Sequence, residues 1–314
     1  MLFCAHPMTR PAVHQPPVAA PDIVLYHADC LDGFGAAWAI WKKFPSITFT
    51  PVKHGLPPPA GLSGKKIVIV DFSYQRPTLE AMAKDTASLL VLDHHVTAEK
   101  ALAGLPYTYF DQKKSGAVLA WEWAHQQPAP WLLLHIQDKD LWQWALPGSR
   151  EINAALSSYP YDFRLWDSFT QDKLMAEGRA ILRCEHEMVG KLVAEHALVR
   201  FQGQTVPAVQ SAILNSQIGE RLSGQYPFVI IWHDRDGRRY FSLRSREDGP
   251  DVEAIAKQYG GGGHTHAAGF SVPLDKHSPG PLDPLAPPTT KARGVGHGAR
   301  SKKHTTSRGK KRRK

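Results

Sequence analysis

Three short apolar segments in the first third of the chain are typical of buried strands. They span residues 23–26, 67–70 and 89–92 and consist mostly of Ile, Val and Leu. Segments of helical periodicity follow them at residues 33–43, 76–84 and 115–126, the last with Ser115 as its N-cap. This alternation predicts an α/β fold with a parallel sheet that carries helices on both faces.

The residues that follow these strands carry carboxylates and imidazoles. They are His27, Asp29 and Asp32 after the first strand, Asp71 after the second, and Asp93, His94 and His95 after the third. The carboxyl ends of neighbouring parallel strands share one edge of an open sheet, where ligands bind, so we expect these side chains to converge there. An aspartate at one strand end is often only the cap of the next helix. Capping does not explain the same composition at all three ends.

A cluster of carboxylates in one crevice needs positive charge, because neighbouring carboxylates repel and raise one another's pKa. Divalent metal ions are the simplest counter-charge. Mixed Asp and His ligation without Cys favours Mn²⁺ over a structural zinc site, and the number of ligands suggests more than one ion. Two ions about 3.5 to 4 Å apart are widely used to hydrolyse phosphoesters. The residues therefore indicate a metal-dependent enzyme that cleaves phosphate esters.

The cysteine content argues against thiol chemistry. Three cysteines occur, Cys4, Cys30 and Cys184, without a CxxC pair, so we expect neither a disulfide framework nor a cysteine zinc site. We also expect a cytoplasmic protein, because no apolar run approaches the roughly 18 to 20 residues of a membrane helix. The first 21 residues lack the apolar core of a secretory signal.

The chain has 314 residues, enough for two domains of unequal size. We predict a disordered segment over residues 1–21, a metal-binding catalytic domain over 22–170, a linker helix over 171–196, a smaller α/β domain over 197–275 and a disordered basic tail over 276–314. In the smaller domain we expect strands at 208–214, 228–233 and 240–244, a hairpin turn at Asp236-Gly237 and a helix at 252–259.

The net charge of +9 is concentrated in the tail. Residues 277–314 hold eleven Lys and Arg against one acid, so residues 1–276 carry a net charge of −1. The tail predicts nonspecific, salt-sensitive contact with nucleic acid, or else a role in solubility or in contact with ribosomes or membranes. A nucleic-acid-binding protein that acts through this tail, with an inactive core, is the non-enzyme alternative.

A glycine-rich segment near the end of the smaller domain, residues 260–269 (GGGGHTHAAG), is a candidate phosphate site. It follows a helix, whereas a dinucleotide-binding fingerprint needs the order strand, glycine turn, helix, so a Rossmann site is excluded. Glycines let the backbone approach a ligand and offer its amides to phosphate. A flexible loop is the alternative.

The strand-end residues resemble the first three motifs of the DHH phosphoesterase superfamily. The motifs are HADCLDG at residues 27–33, the Val-Asp pair that ends at Asp71, and Asp93-His94-His95. The superfamily includes RecJ-type nucleases, oligoribonucleases, cyclic dinucleotide phosphodiesterases and a class of inorganic pyrophosphatase. Its fourth motif is an Asp after a helix, best matched by Asp138, with Asp140 in reserve. One more residue than in RecJ-like members separates Asp29 from Asp32, which leaves their assignment to individual metals open.

The resemblance implies a site with two metal ions. One ion would be held by His27, Asp29 and Asp71, and the other by Asp32, Asp71, His94 and Asp138. Asp71 would bridge them, and a hydroxide between the ions would attack the phosphate. The resemblance gives the catalytic roles to Asp93, which would orient a neighbouring ligand, and to His95, which would face the substrate phosphate.

The smaller domain resembles the DHH-associated C-terminal domain of the nuclease and oligoribonuclease branches. The resemblance rests on residues 241–246 (FSLRSR), on the helix at 252–259 and on the glycine-rich segment. It implies that the substrate is bound by Arg244, Ser245, Gly261, Gly262, Gly263 and His264. The pyrophosphatase branch carries a different C-terminal domain, which argues against inorganic pyrophosphate as the substrate.

Together, these expectations predict a metal-dependent phosphodiesterase that hydrolyses short oligonucleotides or dinucleotides to mononucleotides. The near-neutral body lacks the extensive basic groove that long nucleic acids require. A RecJ-like single-strand exonuclease and a cyclic dinucleotide phosphodiesterase are the enzyme alternatives. Whether the protein forms a homodimer is left open by the sequence.

Overall fold

A parallel sheet of five strands forms the first half of the protein, in a computed structural model that describes residues 18–274 and 283–284. The strands are β1 (Ile23–His27), β2 (Thr48–Val52), β3 (Lys66–Val70), β4 (Ser88–Asp93) and β5 (Thr108–Phe110). Their order is β2-β1-β3-β4-β5, so β3 pairs with both β1 and β4. The predicted parallel sheet is confirmed, and the carboxyl ends of β1, β3 and β4 lie side by side.

Helices cover both faces of this sheet. They are α1 (Leu31–Lys43), α2 (Arg76–Asp85), α3 (Val96–Leu102), α4 (Gly116–His125), α5 (Trp131–Asp140), α6 (Ser149–Ser157) and α7 (Phe163–Asp167). Alternate strand residues face opposite sides, because successive side chains of a strand point to opposite faces. Val68 and Val70 therefore join the apolar cluster with α1 and α4, whereas Ile67 and Ile69 join the cluster with α2. Ser115 caps α4 as predicted, and its hydroxyl accepts the Val118 N–H at 3.4 Å.

A long helix leads from this sheet to a second one. The helices of this half are α8 (Gln171–Ala194), α9 (Asn215–Ser223) and α10 (Val252–Gln258). The strands are β6 (Ala197–Phe201), β7 (Gln204–Gln210), β8 (Phe228–Arg235), β9 (Arg238–Ser245), β10 (Gly262–His264), β11 (Ala267–Pro273) and β12 (Asp283–Pro284). The order is β10-β11-β9-β8-β7-β6-β12, and the pairs are antiparallel except for β7 with β8. Asp236 and Gly237 form the predicted hairpin turn with φ of 50° and 71°.

Some expected elements differ from the structure. The strand expected at 208–214 is β7, which begins earlier because Gln204 pairs with Phe201 in a tight hairpin. The edge strand β2 was not predicted, since its half-exposed sequence TFTPV contains a proline and lacks an apolar run. The predicted disordered ends, 1–21 and 276–314, lie outside the described residues except for 18–21 and β12. Within the predicted tail, β12 pairs with β6.

Candidate functional site

The strand ends of the first sheet bring a carboxylate to the centre of the site. Asp71 follows β3, is 1% exposed and has a φ of 53°, in the left-handed region that non-glycine residues seldom adopt. Its N–H donates to the Leu92 carbonyl of the neighbouring strand at 3.0 Å, which fixes this turn. Neither carboxylate oxygen has a hydrogen-bond partner of good geometry among the described residues. A buried carboxylate without such partners is costly unless a cation compensates it.

The first turn of α4 packs directly on this carboxylate. A Cβ at Gly116 would lie 2.5 Å from the Cβ of Asp71, so glycine is required there. The N–H groups of Gly116 and Ala117 donate to the buried Asp32 carboxylate at 2.6 and 3.0 Å. The helix N-terminus therefore holds Asp32 beside Asp71. Burial, followed by Asp71 and Asp140, raises the pKa of Asp32 well above its ordinary value.

One buried imidazole meets three carboxylates. The Nε2 atom of His94 lies 3.2 Å from Asp71, 3.5 Å from Asp140 and 3.7 Å from Asp32. Burial lowers the pKa of His94, but these carboxylates outweigh it and raise the pKa to about 10. His94 thus stands at the point where the acidic side chains converge.

His27 lies on the other side of Asp71. Its Nδ1 is 3.5 Å from Asp71 Oδ2, at the end of β1. Burial raises the pKa of Asp71, but the His27 and His94 imidazoles outweigh burial and lower it overall. Gly33 is needed here because a Cβ would lie 2.2 Å from the His27 carbonyl oxygen. The first turn of α1 therefore packs tightly against the residue that follows β1.

Cys30 belongs to the same side of the cluster, although its isolated position in the sequence predicts no role for its thiol. His27, Cys30 and Asp71 each offer one donor atom, and these three atoms lie within 4.8 Å of one another. The extra residue in the first motif was the available signal, because it left open which side chains between His27 and Asp32 serve as ligands.

Asp29 lies outside the cluster. Its φ is 56°, and its side chain is 74% exposed and pairs with Lys53. The Asp29 side chain is therefore directed to the surface, and the structure does not bring it to Asp71.

The structure brings Asp140, the reserve residue, to the cluster instead of Asp138. Asp138 is buried, and its carboxylate accepts the N–H groups of Ala145 and Leu146 at 2.8 and 3.1 Å. Residues two apart on a helix point about 200° apart, so α5 directs the two side chains to different faces. Asp140 then shares a possible ion with Asp32 and His94, with donor atoms within 4.8 Å of one another.

Asp93 holds His95 in place. Its Oδ1 contacts His95 Nδ1 at 2.7 Å and accepts the His94 N–H at 2.7 Å, while Oδ2 accepts the Ser73 hydroxyl at 2.6 Å. Burial raises the pKa of Asp93, but the His95 hydrogen bond outweighs it and lowers the pKa overall. These bonds leave Nε2 of His95 as the ring nitrogen that can meet a ligand.

The second sheet contributes His264 to the same place. The His264 ring stacks on His95 with centroids 5.3 Å apart and planes 21° apart. His264 ends β10, so the glycine-rich segment is half of a β-hairpin and not a flexible loop. A Cβ would lie 2.1 Å from the Gly269 oxygen at Gly261 and 2.5 Å from the Ala267 oxygen at Gly263. Packing therefore requires these two glycines, whereas Gly262 has open space.

Arg244 and Ser245 end β9 beside this hairpin. Arg244 donates to the Leu243 carbonyl at 2.9 Å and packs against Gly219, where a Cβ would lie 2.5 Å from Arg244 Cβ. Ser245 donates to the Pro250 carbonyl at 2.8 Å and contacts His266 Nδ1 at 3.0 Å. The Ser245 hydroxyl is thus engaged within its own domain.

Taken together, the donor set suits a divalent cation. Imidazole and carboxylate groups surround Asp71, and the three overlapping groups of donors share Asp71 or His94. The two oxygens of Asp71, which lack hydrogen-bond partners among the described residues, are where a cation would bind between these donors. No helix in the described part of the chain is long and apolar enough to cross a membrane.

Comparison with known proteins agrees with these features. A DHHA1 domain matches residues 196–279, which include β6 to β11. The chain is 31% identical over 285 residues to the uncharacterized protein R106 of Acanthamoeba polyphaga mimivirus, covering 80% of this chain and 67% of R106. It is also 33% identical over 117 residues to oligoribonuclease NrnB of Bacillus subtilis, covering 36% of this chain and 27% of NrnB. The chain therefore contains a DHHA1 domain and belongs to the same family as R106.

This chain has a buried acidic and histidine cluster that could bind a metal ion. Among solved structures, it is similar to the pGpG-specific phosphodiesterase PggH of Vibrio cholerae. The identity is 15%, with 80% of this chain and 93% of PggH covered and a TM-score of 0.43.

Proposed function

We propose that this protein is a DHH phosphoesterase that hydrolyses short oligonucleotides or linear dinucleotides to mononucleotides with two divalent metal ions, Mn²⁺ or ions of similar chemistry. The buried carboxylate of Asp71, whose two oxygens lack hydrogen-bond partners among the described residues, is the observation that carries the proposal. The similarity to NrnB, an oligoribonuclease, supports the substrate class.

The proposed ligands follow the distances around Asp71. His27 and Asp71 would hold one ion, and Asp32, Asp71, His94 and Asp140 the other, so that Asp71 is shared. Asp140 takes the position that the family resemblance gave to Asp138, and Asp29 is left out. When bound, two divalent ions supply an activated water and neutralise the charge that develops on the phosphate.

The chain itself would orient the phosphate with two histidines. The Nδ1–H of His95 donates to Asp93. Burial lowers the pKa of His95, but this bond outweighs burial and raises the pKa overall. The imidazolium form is thereby favoured, and its Nε2–H can donate to a non-bridging phosphate oxygen. His264 stacks beside this ring and supplies a second imidazole from the other domain. The arrangement supports binding of the scissile phosphate where the two domains meet.

A short substrate suits this geometry and charge. Residues 1–276 carry a net charge of −1, so the body lacks the positive surface that binds long strands. Arg244 would contact the nucleotide, and Gly262 has the open space that a phosphate needs. Gly261 and Gly263 would act by shaping the hairpin, and Ser245 by bracing it.

The test is turnover of 5′-phosphorylated RNA and DNA oligomers, from dinucleotides to strands of about twenty-four nucleotides, with Mn²⁺ or with chelator. We expect chelator-sensitive release of mononucleotides, fastest on the shortest RNA. Asp71→Asn should abolish turnover, whereas Asp236→Asn, at an exposed hairpin turn that accepts Asn, should not. Preference for long single-stranded DNA, or turnover of cyclic dinucleotides alone, would contradict the proposed substrate.

Deletion of residues 277–314 tests the role of the basic tail. We expect the truncated protein to keep its turnover of dinucleotides and to lose only salt-sensitive binding to longer strands. Absence of turnover in the full chain as well, together with nucleic-acid binding that is lost with the tail, would instead favour a nucleic-acid-binding protein with an inactive core.

A further inference from the structure

Cys30 occupies the junction where the first strand passes into the first helix. It is the residue before α1, and its backbone is extended, with φ −128° and ψ 136°. This conformation turns Sγ towards His27 and Asp71, whose donor atoms lie with it within 4.8 Å. Ligand atoms around a tetrahedral ion stand roughly 3.3 to 3.8 Å apart, since Zn–S is about 2.3 Å and Zn–N about 2.0 Å. A closure of about 1 Å would therefore bring all three onto one ion.

The side of Asp71 that faces His27 is short of oxygen ligands. Asp29 pairs with Lys53 at the surface, and Asp32 is held by the α4 N–H groups on the side of His94. On this side the described residues offer one imidazole, one thiol and one oxygen of Asp71. The opposite side, with Asp32, His94 and Asp140, offers only oxygen and nitrogen.

An independent observation points to a ligand between these groups. Asp71 is 1% exposed, and its two oxygens lack hydrogen-bond partners in the described part of the chain, one on each side of the cluster. His27 approaches Oδ2 at 3.5 Å, whereas His94 approaches Oδ1 at 3.2 Å. Each oxygen thus faces its own set of donors.

We propose that Cys30 supplies a thiolate ligand to the ion held by His27 and Asp71, so that this subsite selects Zn²⁺ or Co²⁺ over Mn²⁺. The proposal rests on the proposed two-metal centre and deepens it. Sulfur is a soft ligand that favours zinc and similar ions, whereas carboxylates and imidazole suit Mn²⁺. The two subsites therefore differ in metal preference, and the cysteine loses the proton of its thiol to solvent when the ion binds.

Cobalt absorption tests the thiolate directly, without relying on activity. The full chain, freed of metal, is titrated with Co²⁺ in a Cys4→Ser/Cys184→Ser background, in which Cys30 is the remaining cysteine. We expect a near-ultraviolet thiolate-to-cobalt charge-transfer band that saturates at one equivalent and disappears when Cys30→Ser is added. Zn²⁺ affinity should fall on the order of a hundredfold in the Cys30→Ser variant, at least as much as loss of an outer-shell partner costs.

The outcomes separate this proposal from the function on which it rests. If two Co²⁺ ions bind and no charge-transfer band appears in the parent protein, Cys30 is not a ligand and the metal centre stands. If no divalent ion binds at all, the metal centre itself is refuted. The cobalt spectrum of the parent protein tests the thiolate ligand even if Cys30→Ser fails to fold. The Cys30→Asp variant, which provides an oxygen ligand, should shift the metal preference of the subsite to Mn²⁺.

Discussion

Replacement of Gly116 by alanine probes the contact between α4 and the central carboxylate. The added Cβ would lie 2.5 Å from Asp71 Cβ and 2.9 Å from its Cγ, whereas ordinary contacts begin at 3.4 Å. Asp71 or the helix must therefore move by about 1 Å. The N–H of residue 116 remains available to Asp32, so the substitution acts through volume alone.

The magnitude follows from that displacement. Overpacking of this kind costs about 1–3 kcal/mol of stability, which leaves most domains folded. A displacement of about 1 Å at a reacting centre costs roughly a hundredfold in rate. Asp71 cannot retreat easily, because its N–H is bonded to Leu92 and its backbone is already in the left-handed region. We expect kcat/KM on a dinucleotide to fall about a hundredfold, with weaker Mn²⁺ binding.

The assay compares Gly116→Ala with Gly190→Ala, a matched change in α8. A Cβ at Gly190 meets no atom within 4 Å, so alanine there should leave activity unchanged and stabilise the helix by about 0.5–1 kcal/mol. Thermal unfolding, metal titration and dinucleotide turnover are measured for both variants. Wild-type turnover and Mn²⁺ affinity in Gly116→Ala would refute the reasoning that Asp71 is the centre of the site.

Three further predictions concern stability. Gly178→Ala places a Cβ 1.9 Å from the Glu151 carbonyl oxygen, and we expect a loss of about 2–3 kcal/mol and a lower melting temperature by calorimetry. Metal removal by chelator should lower the melting temperature, and Mn²⁺ at a hundredfold above its dissociation constant should restore about 2.7 kcal/mol. Burial and the nearby Lys43 and Lys42 lower the pKa of His125 below 6.5 against its hydrogen bond to Ala39. Its neutral form is therefore favoured by folding, and the stability difference between wild type and His125→Gln should shrink as pH falls below 6.5, measured by denaturant unfolding.

Local sequence patterns were sufficient to predict the first sheet and the convergence of the acidic residues at its edge. The runs at β1, β3 and β4 are continuous and apolar because both faces of the sheet are covered, and such strands are evident without tertiary information. Since parallel strands place their carboxyl ends on one edge, Asp71, His94 and Asp32 could be predicted to meet. The edge strand β2 lacks this signal, because it is half exposed and contains Pro51.

The local backbone conformation decides which of two residues close in sequence has its side chain in the cluster. Asp29 and Cys30 are adjacent in sequence, and a φ of 56° at Asp29 sends one to solvent and the other towards His27. Asp138 and Asp140 are two residues apart on α5, and the helix directs them to different partners. The stacking of His95 on His264 joins residues from two sheets. Residue type and spacing carry the chemistry of such a site. The direction of each side chain depends on the local backbone conformation, and the meeting of His95 with His264 depends on packing between elements that are distant in sequence.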